Sequence, residues 1–252
     1  MTSEKFLYKV LDIQITLRCN AKCSNCIRMC NTESKTGLIY SDSDMTIEQI
    51  DNFIKQIKSL NKINVVEIIT ITGGEPLLHP DIEIIVQKIE ELQRLKICDS
   101  IRINSNTLIT APVNIKKYII NHSLPKDNRN LHNTILVHPT EFGGSIKKTY
   151  DSCTHFRKNL LSLNYLGYTV CCAGDAYIRL FGMDNLIIEE FPKSLDDFPL
   201  KDMDKICEHC PFGHDTIQPF EKDVGCPVSD IYKNEADKNK LGRKITKRFG
   251  KL

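Results

Sequence analysis

The chain has 252 residues, 34 Lys+Arg against 32 Asp+Glu for a net charge of +2, and 41% hydrophobic residues with no Trp. This is a globular composition with enough apolar material for a sizeable core, and it excludes disorder, collagen-like repeats and whole-chain electrostatic binding of nucleic acid. No stretch approaches the ~18 uninterrupted apolar residues of a membrane span. The start MTSEKFLYKVLDIQITL lacks the ordered basic, apolar and small-residue regions of a secretory signal, so a cytoplasmic location is expected.

In chain order, residues 10–17 (VLDIQITL) read as a buried strand, and MTIEQIDNFIKQIKSL (45–60) as an amphipathic helix with Ser43 and Asp44 available as caps. INVVEIITIT (63–72) is a β-branched strand that breaks at Gly73-Gly74, and Pro80 opens the helical pattern DIEIIVQKIEELQRL. SIRINSN (100–106) reads as a strand, APVNIKKYII (111–120) as a short helix and NTILVHPT (133–140) as a further strand. Strand–helix alternation predicts parallel βαβ units with right-handed crossovers. A closed eight-stranded barrel takes ~250 residues, so the fold class expected is α/β, a partial, shortened and open parallel (β/α) barrel. Its functional residues should collect at the carboxyl ends of the strands, where Arg18 and Cys19, Gly73 to Pro76, Ser105 and Asn106, and His138 all fall.

Beyond about residue 141 the pattern changes. NYLGYTVCC (164–172) reads as a β-hairpin arm, and Pro192 and Pro199 interrupt any long helix. The expected division is a barrel over 1–145, a small metal-stapled unit over 146–230 and a basic C-terminal tail or helix over 231–252. That tail carries eight Lys/Arg against two Asp/Glu, with Leu241, Ile245 and Phe249 four apart.

The chemistry is concentrated in eleven cysteines. Clustered thiols in a reducing compartment bind metal or do chemistry more often than they form disulfides. Cys19, Cys23 and Cys26 form C-x3-C-x2-C directly after a strand. Three thiolates on one loop can hold three irons of a [4Fe–4S] cube and leave the fourth open to a ligand; spacing alone leaves zinc or incidental buried thiols as alternatives. Downstream, strand two ends in Gly73-Gly74-Glu75-Pro76, two glycines that permit close backbone approach, then a carboxylate stiffened by proline.

With both pieces in place, residues 8–140 resemble the radical S-adenosylmethionine (SAM) superfamily. The resemblance implies that Cys19, Cys23 and Cys26 ligate a [4Fe–4S] cluster whose open iron is chelated by SAM. It further implies that Gly73, Gly74, Glu75 and Pro76 orient the SAM amino group, and that Asn104, Ser105 and Asn106 approach its ribose or carboxylate. One electron from the cluster would then cleave SAM to a 5′-deoxyadenosyl radical that abstracts hydrogen from substrate. Asn25 stands where relatives usually carry an aromatic, and Thr107 where glycine is common. Cys30 is assigned a structural role, and Cys98 that of a core thiol.

Cys207 and Cys210 form a C-x2-C knuckle, and Cys153, Gly167 and Cys172 a C-x13-G-x4-C pattern. Two and two thiolates could close a zinc site as well as an iron–sulfur site. The pattern resembles the Twitch form of the SPASM/Twitch extension, which implies one auxiliary [4Fe–4S] cluster on Cys153, Cys172, Cys207 and Cys210. Cys171 is the alternative to Cys172, since adjacent hairpin residues face opposite ways. A closed cluster implies electron transfer, with a purely structural staple as the alternative.

Length, truncated barrel and single auxiliary cluster most resemble the aminocyclitol (2-deoxy-scyllo-inosamine) dehydrogenase type, which implies an oxidoreductase acting on an alcohol of a sugar or cyclitol. His138, Glu141 and Arg157 are the candidate catalytic residues near the mouth, with His138 as base, and Arg102 is a further polar candidate. A maturase acting on a short ribosomally made peptide is the alternative; with the first cluster cysteine at position 19, an ~90-residue leader-binding domain is not expected ahead of it. The non-enzyme alternative is a metal-stabilised binding module whose basic tail contacts RNA or an acidic partner. A flavodoxin- or ferredoxin-type reductant is expected as partner, and neither a membrane nor nucleic acid is.

Overall fold

The computed structural model describes residues 6–21, 26–28, 30, 44–121, 138–142, 153, 160–210, 231–232, 234–235 and 249. Six strands make one open sheet in the order β4-β3-β2-β1-β5-β6. They are β1 (Tyr8–Thr16), β2 (Val66–Gly73), β3 (Cys98–Ser105), β4 (Ile119–Asn121), β5 (Leu160–Asn164) and β6 (Gly167–Thr169). Every neighbouring pair is parallel except the β5–β6 hairpin. The helices are α1 (Ile47–Ser59), α2 (Ile82–Arg94), α3 (Cys172–Phe181) and α4 (Leu200–His209). Among the described residues no helix is long and apolar enough to cross a membrane.

Two periodicities build the core. On β1, Leu11, Ile13 and Ile15 are fully buried on one face and join Ile50, Phe53 and Ile57 of α1 and Ile85, Ile89 and Leu92 of α2 in a single apolar cluster. The alternate residues Asp12, Gln14 and Thr16, with Thr70 and Thr72 on β2, make the opposite face polar. β1 and β2 are aligned from Tyr8↔Val66 to Gln14↔Thr72, and the register then shifts so that Thr16 lies opposite Gly73. That irregularity re-aims the chain as it leaves β1 for the cysteine loop.

Several elements differ from the expectations. The cap of α1 is Thr46, whose hydroxyl accepts from the Gln49 N–H while the Gln49 side chain accepts from the Thr46 N–H, a reciprocal capping box. Asp44 instead accepts from the Thr16 hydroxyl at 2.5 Å and pairs with Arg18. The helix expected over 111–120 is replaced by a single 3-10 turn, Lys116–Tyr118, running directly into β4. Ile119 and Ile120 pair with Ile103 and Asn104 there, so the sheet edge takes residues whose spacing alone fits either state. The strand expected over 133–140 lies mostly outside the described residues, and its end is a 3-10 turn, Pro139–Phe142.

The hairpin does not stand apart from the barrel. β5 pairs in parallel with β1 from Val10↔Leu160 to Ile13↔Leu163, so residues beyond 145 complete the same sheet. It also ends earlier than expected, because α3 begins at Cys172, with Cys171 as its cap and Gly182 ending it in the left-handed conformation (φ 64°). Phe249 of the basic tail is fully buried, its N–H donating to the Tyr165 carbonyl and its ring edge-on to Tyr168. Leu241 and Ile245 lie outside the described residues.

The exits of β1 and β2 touch backbone to backbone. The Gly74 N–H donates to the Thr16 carbonyl at 2.8 Å and the Glu75 N–H to the Arg18 carbonyl at 2.7 Å. A Cβ on Gly73 would lie 2.3 Å from the Thr16 carbonyl oxygen, and one on Gly74 2.2 Å from that of Arg18. Backbone cannot move aside as a side-chain tip can. Gly74→Ala is therefore expected to cost about 1–3 kcal/mol of stability by overpacking, read as a lower denaturation midpoint in the iron-free protein.

Candidate functional site

The loops leaving β1, β2 and β3 are tied to one another by Glu75 and Asn106. Glu75 is fully buried; its Oε1 accepts from the Leu77 N–H at 3.0 Å and its Oε2 from the Asn106 N–H at 2.7 Å. Burial pushes this carboxyl up, against the hydrogen bonds from Asn106, Leu77 and Ser105. Asn106 Nδ2 in turn donates to Asn20 Oδ1 at 2.7 Å and lies 3.9 Å from Cys19 Sγ. Glu75 thus braces the site from behind through loop amides, and buried Pro76 opens the 3-10 turn that follows it.

These loops enclose a cavity of about 350 Å³. Cys19, Cys26, Gly73, Gly74, Asn104, Ser105 and Asn106 all line it, so the structure brings the first and third cysteines of the triplet together with the glycines and the Asn-Ser-Asn segment. Cys23 lies outside the described residues. The Cys26 thiol is pulled down to about 6, chiefly by a hydrogen bond from Cys30, and Cys30 is buried beside it. Cys98 is buried in the core, as expected of it.

Asp12 and Arg28, neither of them a candidate in the sequence reading, also stand on the cavity wall. Asp12, on the polar face of β1, pairs with Arg28 at 2.5 Å, both side chains nearly excluded from solvent at 12% and 11%. Arg28 Nη1 also donates to Gln14 Oε1 at 3.2 Å, and its carbonyl accepts from Arg179 Nη2 at 2.8 Å. Arg179 is held by Asp175, which also accepts from Asn164. Cys172, expected as a ligand of the auxiliary cluster, lines this cavity instead, its thiol by Asp12 and Arg28. The sequence carried a signal for Asp12: polar residues at 12, 14 and 16 alternate through an otherwise apolar strand.

The second cysteine group is arranged around the start of α3 and the end of α4. Cys171 caps α3, its Sγ accepting from the Gly174 N–H at 3.1 Å. Burial pushes its thiol up to about 12, with Cys153 and Cys207 adding to the shift. Cys207 is raised to about 12 by burial and then by Cys153. Cys210, just past α4, is buried beside Tyr177 and Tyr232. Of the adjacent pair, Cys171 is therefore the one that shares the surroundings of Cys153 and Cys207, whereas Cys172 faces the first cavity. The physical reason is the helix start, where successive residues diverge by about 100°. Among the described residues no three His, Cys, Asp or Glu side chains converge on one point as ligands of a single ion would. A four-iron cube asks for thiolates spread around its corners.

Of the candidate catalytic residues, neither His138 nor Glu141 lines the cavity. His138 is buried, its Nε2 2.9 Å from Nδ1 of His209 and its Nδ1 2.8 Å from the Thr140 hydroxyl. His209 stacks on Phe181 at 3.7 Å between ring centres, and burial, then His138, pulls its imidazole down to about 4. Glu141 is exposed and accepts from the Ile231 N–H at 3.1 Å. Arg102 is exposed on β3, and Arg157 lies outside the described residues.

A cavity at the carboxyl ends of parallel strands, walled by cysteines of a C-x3-C-x2-C loop and by a Gly-Gly-Glu-Pro turn, defines the class of an iron–sulfur enzyme that uses SAM. The model of the Radical SAM superfamily matches residues 13–152, more than half of the sequence, and the chain belongs to that superfamily. Among curated relatives, the GTP 3′,8-cyclase of Aquifex aeolicus (strain VF5) is 34% identical over 88 residues, 35% of this chain and 25% of that protein. That of Limosilactobacillus fermentum is 32% identical over 105 residues, 42% and 28% of the two chains. The probable GTP 3′,8-cyclase of Methanothermobacter marburgensis is 37% identical over 82 residues, 32% and 23%. The chain thus spans about a quarter of the length of these relatives. Among solved structures, BtrN in complex with AdoMet and 2-DOIA aligns at a TM-score of 0.42 and 12% identity, over 78% of this chain and 82% of that one. BtrN in an open conformation aligns at 0.37 and 15%, over 86% and 92%.

The turn after β3 also accounts for a departure in the sequence. Thr107 has φ 57°, left-handed backbone that a β-branched residue adopts only under strain. It is held by the Ser105 hydroxyl, which accepts from the Thr107 N–H, and by Asn106 Oδ1, which accepts from the Leu108 N–H. Thr107→Gly is expected to stabilise the protein by about 1 kcal/mol as that strain is relieved, measured by chemical denaturation; an equal loss instead would show that the threonine side chain outweighs its backbone.

Proposed function

We propose that the chain is a radical SAM oxidoreductase that removes hydrogen from an alcohol of a small sugar or cyclitol, with an auxiliary [4Fe–4S] cluster on Cys153, Cys171, Cys207 and Cys210 as electron acceptor. The observation that carries the reading is the single cavity shared by Cys19, Cys26, Gly73, Gly74 and Asn104–Asn106. The donor set fits the first cluster: two described thiols of the triplet face that space, one of them already shifted toward thiolate. When bound, cluster and SAM supply one-electron cleavage of SAM and hydrogen-atom abstraction. The chain's own part is placement and shielding. Gly73 and Gly74 keep the wall free of side chains, Asn104 adds a polar residue to it, and Val10, Leu160 and Leu161 exclude water from the far side.

Cys171 replaces Cys172 in the ligand set because it shares the surroundings of Cys153 and Cys207. The carbinol radical left by hydrogen-atom abstraction would pass one electron to that cluster and its hydroxyl proton to water, giving the ketone, and a flavodoxin- or ferredoxin-type protein would reduce the first cluster. A domain division at 145/146 would then be one of ligand supply, with 231–252 as an appended basic tail. The names of the relatives favour a second reading, a reaction on a purine nucleotide; a GTP-dependent product in place of an oxidised polyol would select it.

Anaerobically reconstituted protein is expected to carry about eight irons, and Cys19/Cys23/Cys26→Ala about four. The wild type should form 5′-deoxyadenosine from SAM and dithionite, with a two-dalton mass loss in an accepted polyol. 5′-Deoxyadenosine from the triple variant would overturn the reading. Zinc with only four irons in the wild type would make the second site a structural staple.

The two adjacent cysteines are separable by metal content. Cys171→Ala should fall to about four irons, while Cys172→Ala should keep about eight. The reverse pattern would return Cys172 to the ligand set.

A further inference from the structure

We propose that Asp12 is the anchor of the substrate: its free carboxylate oxygen accepts a hydrogen bond from a hydroxyl or protonated amine of a small ring-shaped molecule lying in the cavity. The proposal rests on the reading of that cavity as the place where SAM and substrate meet, and it names the substrate class by its chemistry.

The two oxygens of Asp12 are unequally used. Oδ2 takes Arg28 Nη2 at 2.5 Å, whereas Oδ1 has no hydrogen-bond partner among the described residues, although the residue is only 9% exposed. A buried carboxylate oxygen without a donor is costly, and folded proteins seldom leave one so without a use. Asp12 lines the cavity, so a ligand there can supply the missing donor.

The carboxylate cannot turn away to find another partner. Arg28 grips Oδ2 and is itself fixed by Gln14, while Arg179 holds the Arg28 carbonyl. A group held this firmly loses little further freedom on binding. Arg28 also lies two residues past Cys26, on the same loop. A donor seated on Asp12 is therefore placed at a fixed offset from the first cysteine cluster, as selecting one carbon for hydrogen abstraction requires.

The surroundings limit what the anchored molecule can be. Val10, Leu160 and Leu161 give the same wall an apolar surface, suited to the C–H face of a ring, with Cys172 beside them. Arg28 has one amino group on Asp12 and the other on Gln14, and its charge is balanced by the carboxylate. A phosphate or carboxylate at this wall would meet Asp12 as a like charge. The chemistry favours a neutral or cationic polyol and opposes a nucleoside triphosphate lying against Asp12.

Calorimetric titration of reconstituted protein with SAM tests this using three probes: myo-inositol for hydroxyl alone, 2-deoxystreptamine for hydroxyl plus amine, and GTP. The wild type is expected to bind at least one of the first two. Equal binding of both assigns the donor to a hydroxyl, and tighter 2-deoxystreptamine to an amine. In Asp12→Asn the side-chain oxygen stays on Arg28 and an NH2 faces the cavity, so an acceptor becomes a donor. Affinity should fall about 10–100-fold, the scale of one charge-assisted hydrogen bond. Since Asp12→Asn leaves Arg28 in altered surroundings, Asp12→Leu/Arg28→Met removes both charges together, a replacement that buried ion pairs often tolerate. It should fold with a comparable denaturation midpoint and show the same loss. Unchanged probe affinity in either folded variant, or a wild type that binds only GTP, would overturn the proposal. Formation of 5′-deoxyadenosine by the wild type without any probe is scored separately: its absence sinks the radical SAM reading, while its presence with unaltered binding in the variants sinks only the role of Asp12.

Discussion

The site depends on a contact with no side chains in it. The chain leaving β2 runs against the chain leaving β1 so closely that carbonyl oxygens occupy the space where Cβ atoms would sit on Gly73 and Gly74. From that contact the rest follows in short steps. Glu75 is delivered behind the loops, where its two oxygens take the Leu77 and Asn106 amides, and Asn106 reaches across to Asn20 and Cys19. The glycines are thus required first by the protein's own backbone. The open wall they leave for a ligand is a consequence of the same packing.

The opposite wall is built by β5 and the start of α3. Because β5 pairs directly with β1, the chain beyond residue 145 comes back to the same cavity from the far side. Cys171 and Cys172 then stand at a helix start where one residue turns toward Cys153 and Cys207 and the next toward Asp12. One turn of backbone joins the two cysteine regions. That turn opens a helix braced by the buried Asp175–Arg179 pair.

Legibility in the sequence followed the range of the interactions. β1, α1, β2, α2 and β3 were readable because their apolar spacing matches the periods of helix and strand and their faces pack on one core. Residues 111–120 were not, since Ile119 and Ile120 become strand only by lying beside Ile103 and Asn104. α3 is marked in the sequence only by Gly182 at its end and by Asp175 and Arg179 at i, i+4, and its start falls on the Cys171–Cys172 pair, whose spacing fits a hairpin arm equally. Cysteines and glycines of the first site were legible because few other chemistries use that spacing. His138 shows the limit: placement after a strand pointed to the mouth, while the fold packs it against His209 and Tyr232.

The chain of charges behind the cavity bears on why such a network sits there at all. Asp12, Arg28, Asp175 and Arg179 are all buried or nearly so, and ion pairs in that setting are often no more stabilising than well-packed apolar residues of the same volume. Stability alone is therefore a weak reason for four charges along one wall. Their geometry supplies a stronger one. Asp175 fixes Arg179, Arg179 fixes the loop carbonyl of Arg28, and Arg28 fixes one oxygen of Asp12, while the other has no hydrogen-bond partner among the described residues. A network that grips one oxygen of Asp12 and leaves the other on the cavity wall holds an acceptor in place. Burying it in a low-dielectric wall makes the choice of partner sharper, because a ligand lacking a donor would leave that charge unmet.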